Sequence, residues 1–221
     1  MRDFLHFERP DMLPESNDNY RNFVLHQTSM TKDIYTYLME NGGITEDQLQ
    51  QISDRLLFRE FRKGQFVLSK GQVCKQIFYV EKGLLRFYSI DHLGKEHIIQ
   101  FAAEGWFISD RSSIYFNQPS EFFIDAVEDT RVAILNEQFV CSASEVSAPF
   151  RRYNEHILQN HIRNLQNRVN LLISATAEER YLDFIKMYPN LTQRVPQWMI
   201  ASYLGITPES LSRVRKELTK K

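Results

Sequence analysis

The sequence predicts an α+β chain in which an N-terminal β-roll, of the jelly-roll kind, is followed by one long helix and then by a small helical domain. Three observations predict it. Between Phe58 and Leu135 short β-branched and aromatic runs alternate with Lys-Gly pairs. From Ser147 onward the apolar residues recur at helical spacing, and residues 197–213 hold two short helical patterns broken at a single glycine.

With 221 residues, 43% hydrophobic and 13% aromatic, the chain can bury the cores of two modest domains. No apolar run approaches the ~18 residues that a membrane-spanning helix needs, and MRDFLHFERPDMLPE lacks the basic-then-apolar order of a secretion signal. A soluble, cytoplasmic protein without a membrane partner is expected. Cys74 and Cys141 exclude a disulfide framework and a CxxC metal knuckle, and both are expected to be ordinary, partly buried thiols. The formal net charge is -1, but residues 194–221 hold six basic side chains against two acidic ones. That segment is +4 and the remainder -5, an asymmetry that points to an attached nucleic-acid-binding module.

Residues 1–29 show no periodicity and are expected to form a weakly ordered extension; Met30 is an alternative start. Thr31 to Leu57 reads as two short helices, broken at Asn41-Gly42-Gly43, the second opened by a Thr45-to-Gln48 capping box. The runs 65–68, 77–80 and 84–88 read as strands. Residues 89–99 read as a hairpin in which Gly94 supplies the positive φ of the turn, and Phe122 to Leu135 reads as a closing strand pair. Residues 30–146 are therefore assigned to the roll.

Ser147 before Pro149 opens a long helix over residues 147–175. Its apolar residues Leu158, Ile162, Leu165, Val169 and Leu172 alternate spacings of four and three, the seam of a coiled coil. Such a seam pairs with a second copy of the chain or packs on its own domain; pairing into a homodimer is expected. A capping box at Thr176 to Glu179 then opens the last domain, residues 176–221, with a helix ending before Tyr188-Pro189.

Within that domain, the stretch from Gln197 to Arg213 has the design of a helix-turn-helix. Ala201 is small where two helices cross and Gly205 frees the backbone for the tight turn. Thr207 caps the second helix and Pro208 takes its first position, where no amide hydrogen is needed. Ile200, Leu204, Ile206, Leu211 and Val214 make the shared apolar face. The expected contacts to double-stranded DNA come from Gln197, Thr207, Glu209, Ser210, Ser212, Arg213 and Lys216. Arg213 can chelate guanine O6 and N7, Glu209 can accept from a cytosine amino group, and Lys216, Lys220 and Lys221 suit phosphates. The alternative is an ordinary helical hairpin.

From about Thr31 onward the chain resembles the Crp/Fnr family of bacterial regulators. The resemblance rests on Arg62-Lys63-Gly64-Gln65, Lys70-Gly71-Gln72, Tyr79-Val80-Glu81-Lys82-Gly83, the hairpin from Asp91 to Glu96, and the 197–213 motif. It implies a cyclic-nucleotide-binding-type roll, a dimerisation helix, and a transcription regulator that works with RNA polymerase. The set Glu209-x-x-Ser212-Arg213 is similar to the Fnr-like recognition helix and implies a palindrome of TTGA-like half-sites.

The sequence departs from that family where an effector would bind. Family members that respond to cyclic AMP carry Gly-Glu and Arg-Ser at the two ends of a phosphate-binding cassette; here Ser109-Asp110 and Ser120-Glu121 align there. The phosphate-binding arginine is missing, and a carboxylate 4 Å from a phosphodiester costs about 4 kcal/mol at an effective dielectric near 20. Arg111 is the one nearby cation. Cyclic AMP is therefore not expected, no cofactor is assigned, and the effector pocket is sketched only by Ser109, Asp110, Arg111, Ser120 and Glu121. The N-terminal cysteine cluster of Fnr-type members is absent. His92 with His97, and His156 with His161, stand five apart, a spacing that shares neither a helix face nor a strand side, so no metal site is expected. The β-hairpin wing that follows the motif in this family is not expected after Lys221. No P-loop, dinucleotide fingerprint, HExxH or nucleophile elbow is present, so an enzyme is not expected. The rival is a ligand-binding or interaction module whose helix-turn-helix is only structural.

Overall fold

The computed structural model describes residues 33–220; the expectations for residues 1–29, Met30 and Lys221 lie outside them. Two short helices, α1 (Ile34–Glu40) and α2 (Glu46–Ile52), come first, and Thr45 caps α2 in the expected box with Gln48. Eight strands follow: β1 (Leu57–Phe61), β2 (Phe66–Leu68), β3 (Gln76–Lys82), β4 (Leu85–Ile90), β5 (Glu96–Ala102), β6 (Phe107–Ile108), β7 (Phe123–Ala126) and β8 (Thr130–Asn136). A short helix α3 (Arg111–Phe116) interrupts them.

The strands form two antiparallel sheets, ordered β1-β8-β3-β6 and β2-β7-β4-β5. The β4–β5 hairpin closes as the sequence implied, with Gly94 at φ 78. The closing strand pair does not: β7 pairs with β2 and β4 while β8 pairs with β1 and β3, so the two lie in different sheets. Their turn is a crossing between layers, which local alternation cannot distinguish from a hairpin.

Period-two alternation explains the layering. Phe78, Val80, Val132 and Ile134 point between the sheets and meet Leu85, Phe87 and Ile124 there. Tyr79, Ala133 and Leu135 point outward and are covered by α1, α2 and the helices that follow β8. Both faces of β3 and β8 are thus buried, which is why these strands read as nearly continuous apolar runs.

After β8 come α4 (Glu137–Val146), α5 (Ala148–Ser174), α6 (Ala177–Met187), α7 (Leu191–Arg194), α8 (Gln197–Leu204) and α9 (Pro208–Leu218). Ser147 caps the 27-residue α5 with Pro149 in its first turn, and Thr176 caps α6 in a box with Glu179. Helices α6 to α9 pack on the outer face of the second sheet, where Tyr88, Ile98 and Phe101 share one core with Phe184, Tyr188, Ile200 and Tyr203. Cys74 is buried as a free thiol, whereas Cys141 is exposed rather than partly buried because it sits on the outer side of α4.

Candidate nucleic-acid interface

The turn between α8 and α9 is built as its residues require. Gly205 ends α8 in the left-handed region at φ 67, so that its own amide reaches the Ser202 carbonyl and the next amide, Ile206, reaches Ala201. A Cβ there would also meet Leu172 Cδ2 at 3.2 Å. Thr207 then caps α9 by accepting from the Ser210 amide at 3.2 Å, with Pro208 at the first helical position. Leu211 and Val214 are buried and anchor the helix.

The opposite side of α9 faces solvent. Glu209, Ser212, Arg213 and Lys216 are exposed, as are Gln197 at the start of α8 and Thr207 in the turn. Ser210 is half-buried and engaged with the cap, its hydroxyl 3.3 Å from that of Thr207, so its first task is local. Among the described residues no ion pair engages Arg213 or Lys216, and the α9 N-terminus is unobstructed for an anionic backbone.

Arg194 differs from its sequence reading. Counted among the cations of the C-terminal segment, it turns inward instead. Its Nη1 and Nη2 donate to both Glu104 carboxylate oxygens at 2.8 and 2.9 Å, and Nη2 also reaches the Gly83 carbonyl at 3.0 Å and Glu128. Burial alone would push the Glu104 carboxyl up, but the Arg194 hydrogen bonds outweigh it and hold the group below the usual carboxylate range. One of the six basic side chains is therefore consumed in docking the helical domain to the roll.

Two further side chains carry that docking, and sequence reasoning missed both. The Ser202 hydroxyl donates to the Glu96 carbonyl and accepts from the Ile98 amide, both at 3.0 Å, tying α8 to β5. From α5, Arg168 donates to the Ile98 carbonyl at 3.3 Å and the Tyr203 carbonyl at 2.8 Å, with its guanidinium 3.6 Å from the centre of the Tyr203 ring. One residue thus touches the long helix, the roll and the first helix of the motif. No local pattern marked it, because an arginine on a helix surface reads as solvated.

The five seam residues lie together along α5, and all are 39–54% exposed in the single chain. An apolar stripe of this length without a cover on its own domain is what a second α5 would bury.

The cassette residues part company. Asp110 is buried and caps α3, accepting from the Ser113 amide at 3.0 Å and from the Ser120 hydroxyl at 2.7 Å. Its carboxylate thus satisfies the donors that an anion would need at this place. Glu121 points away to solvent and pairs with Lys70 at 2.7 Å. Ser109 and Arg111 line a different space, a cleft beside α5. These residues do not fit a cyclic nucleotide: its phosphodiester would displace a buried, hydrogen-bonded carboxylate and meet no cation in the cassette. His97 is hydrogen-bonded to Asp91 at 2.8 Å, and among the described residues no group of three or more potential metal ligands converges.

Residues 58–142 match the family model described as "Cyclic nucleotide-binding domain". The chain is similar to the "Anaerobic regulatory protein" of Pasteurella multocida, at 26% identity over 79% of this chain and 66% of that protein. It is also similar to the "Fumarate and nitrate reduction regulatory protein" of Vibrio cholerae, at 26% identity over 76% of this chain and 70% of that one. The chain thus spans about two thirds of the length of these curated relatives. The structure of FixK2 from Bradyrhizobium japonicum shares the fold with a TM-score of 0.65 at 20% identity, covering 75% of this chain and 85% of that one.

Proposed function

Because the chain is a DNA-binding regulator of the Crp/Fnr type, we propose that it reads a palindromic operator as a homodimer. The observation that carries this is α9, anchored by Leu211 and Val214 and presenting Glu209, Ser212 and Arg213 to solvent on one face. In this reading residues 30–146 form the effector-type roll, residues 147–175 the dimerisation helix and residues 176–221 the DNA-binding domain. Arg213 reads guanine and Glu209 a cytosine amino group, in TTGA-like half-sites. Gln197, Thr207, Ser212 and Lys216 hold phosphates and set register. Ser210 contributes chiefly by stiffening the helix start. Two seams pair through Leu158, Ile162, Leu165, Val169 and Leu172, which separates the recognition helices by about 34 Å, one turn of duplex. The protein works in the cytoplasm with RNA polymerase, and its effector is something other than cyclic AMP.

Selection of bound duplexes from a random library tests the proposal. A two-fold palindrome is expected, and Arg213→Ala weakens it by about 1–3 kcal/mol with relaxed choice at one base. Binding falls with salt at a log-log slope of about -0.9 per neutralised phosphate. Equal affinity for all duplexes, unaffected by Arg213→Ala, would mean that the motif is only structural.

A further inference from the structure

The cleft that receives Arg111 is separate from the cassette. It lies on the outer face of the β1-β8-β3-β6 sheet, against which α5 passes, whereas Asp110 and Ser120 close the cassette on the other side of α3. Phe107, Leu135 and Tyr153 belong to the outer core and form its walls, with Ile157 contributed by α5. Its volume is about 720 Å³ including the open mouth, within the range of small-molecule sites.

Its polar groups are few. Arg111 is partly buried, and among the described residues it has no ion-pair or hydrogen-bond partner. Desolvation lowers its pKa without any carboxylate to offset the loss. An arginine remains charged nonetheless, so the apolar cleft holds one uncompensated cation. His161 stands beside it and is held neutral, first by burial and then by the Arg111 charge. A guanidinium fork offers two parallel donors, which match a carboxylate, and a single positive charge matches a single negative one.

We propose that this cleft binds a small organic carboxylate with an apolar body, its carboxylate on Arg111 and its hydrocarbon or aromatic part against Phe107, Leu135 and Ile157. A nucleotide is a poor fit, because its sugar and base need more donors and acceptors than these walls present. The proposal is independent of how α9 meets DNA.

Calorimetric titration of the full chain with octanoate and with octanamide tests it. Octanoate is expected to bind about tenfold tighter than its neutral amide, a difference of about 1.4 kcal/mol. Arg111→Gln should bring octanoate down to the level of the amide, Arg111→Lys should restore part of the difference, and Ile157→Trp should exclude both by filling the cleft. Circular dichroism melts of the three variants check folding, and the comparison of acid and amide on the unaltered chain needs no variant at all. The proposal is overturned by absence of octanoate binding below its micellar range, by equal affinity for acid and amide, or by binding that survives both Arg111→Gln and Ile157→Trp.

Discussion

The Asp110 carboxylate and the Ser120 hydroxyl, ten residues apart at the two ends of the cassette, are buried and hydrogen-bonded at 2.7 Å. Ser120 in turn accepts from the Phe122 amide at 3.1 Å, so one hydroxyl links the cap of α3 to the start of β7. The cassette is closed by its own side chains.

Ser120→Ala removes the hydroxyl and leaves a buried carboxylate oxygen short of a donor. The expected loss is about 1–3 kcal/mol in urea unfolding at neutral pH. Cyclic AMP is expected to leave the melting temperature of the unaltered protein where it was, since a ligand that does not bind the native state cannot stabilise it.

Arg194→Gln unties the helical domain from Glu104 and Glu128. These groups keep some contact with water, so the loss is expected at about 1–3 kcal/mol, below that of a fully buried pair. Its pH dependence has a definite sign. The Glu104 carboxyl sits below its ordinary 4.5 in the folded chain. Its contribution is therefore complete above that value and disappears as pH falls through the lowered one. The difference in stability between the two proteins should shrink on acidification from pH 5 downward, as measured by urea unfolding at successive pH values.

Leu165→Glu tests the seam. Leu165 is 44% exposed in the single chain, so the substitution costs the protomer little. A charge in the middle of a paired seam is costly, and sedimentation should show monomers at concentrations where the unaltered protein is dimeric. Operator affinity should fall with the dimer. A dimer that persists would place the interface elsewhere.

Gly205→Ala forces a side chain into the left-handed region and against Leu172. The expected cost is about 1–2 kcal/mol in chemical denaturation. Gly205→Asn should cost less, because asparagine visits that region more readily.

The sequence by itself determined the parts whose causes lie within a few residues. The Thr45, Ser147 and Thr176 caps, the turn at Gly205, the Thr207-Pro208 start of α9 and the four-and-three spacing along α5 are all local constraints, and each stands where the residues put it. Tertiary structure decided the rest, because those outcomes depend on partners far along the chain. Period-two alternation said that β7 and β8 were strands, but closure of two sheets decided that they do not pair with each other. Charge counting put Arg194 with the DNA-facing cations, but burial next to Glu104, 90 residues earlier, turned it inward. The aligned cassette showed that a phosphate-binding arginine was missing. Only packing could show that Asp110 had taken the place of the anion, and that Arg111, one residue on, faces a different cleft because the first turn of a helix points successive side chains in different directions.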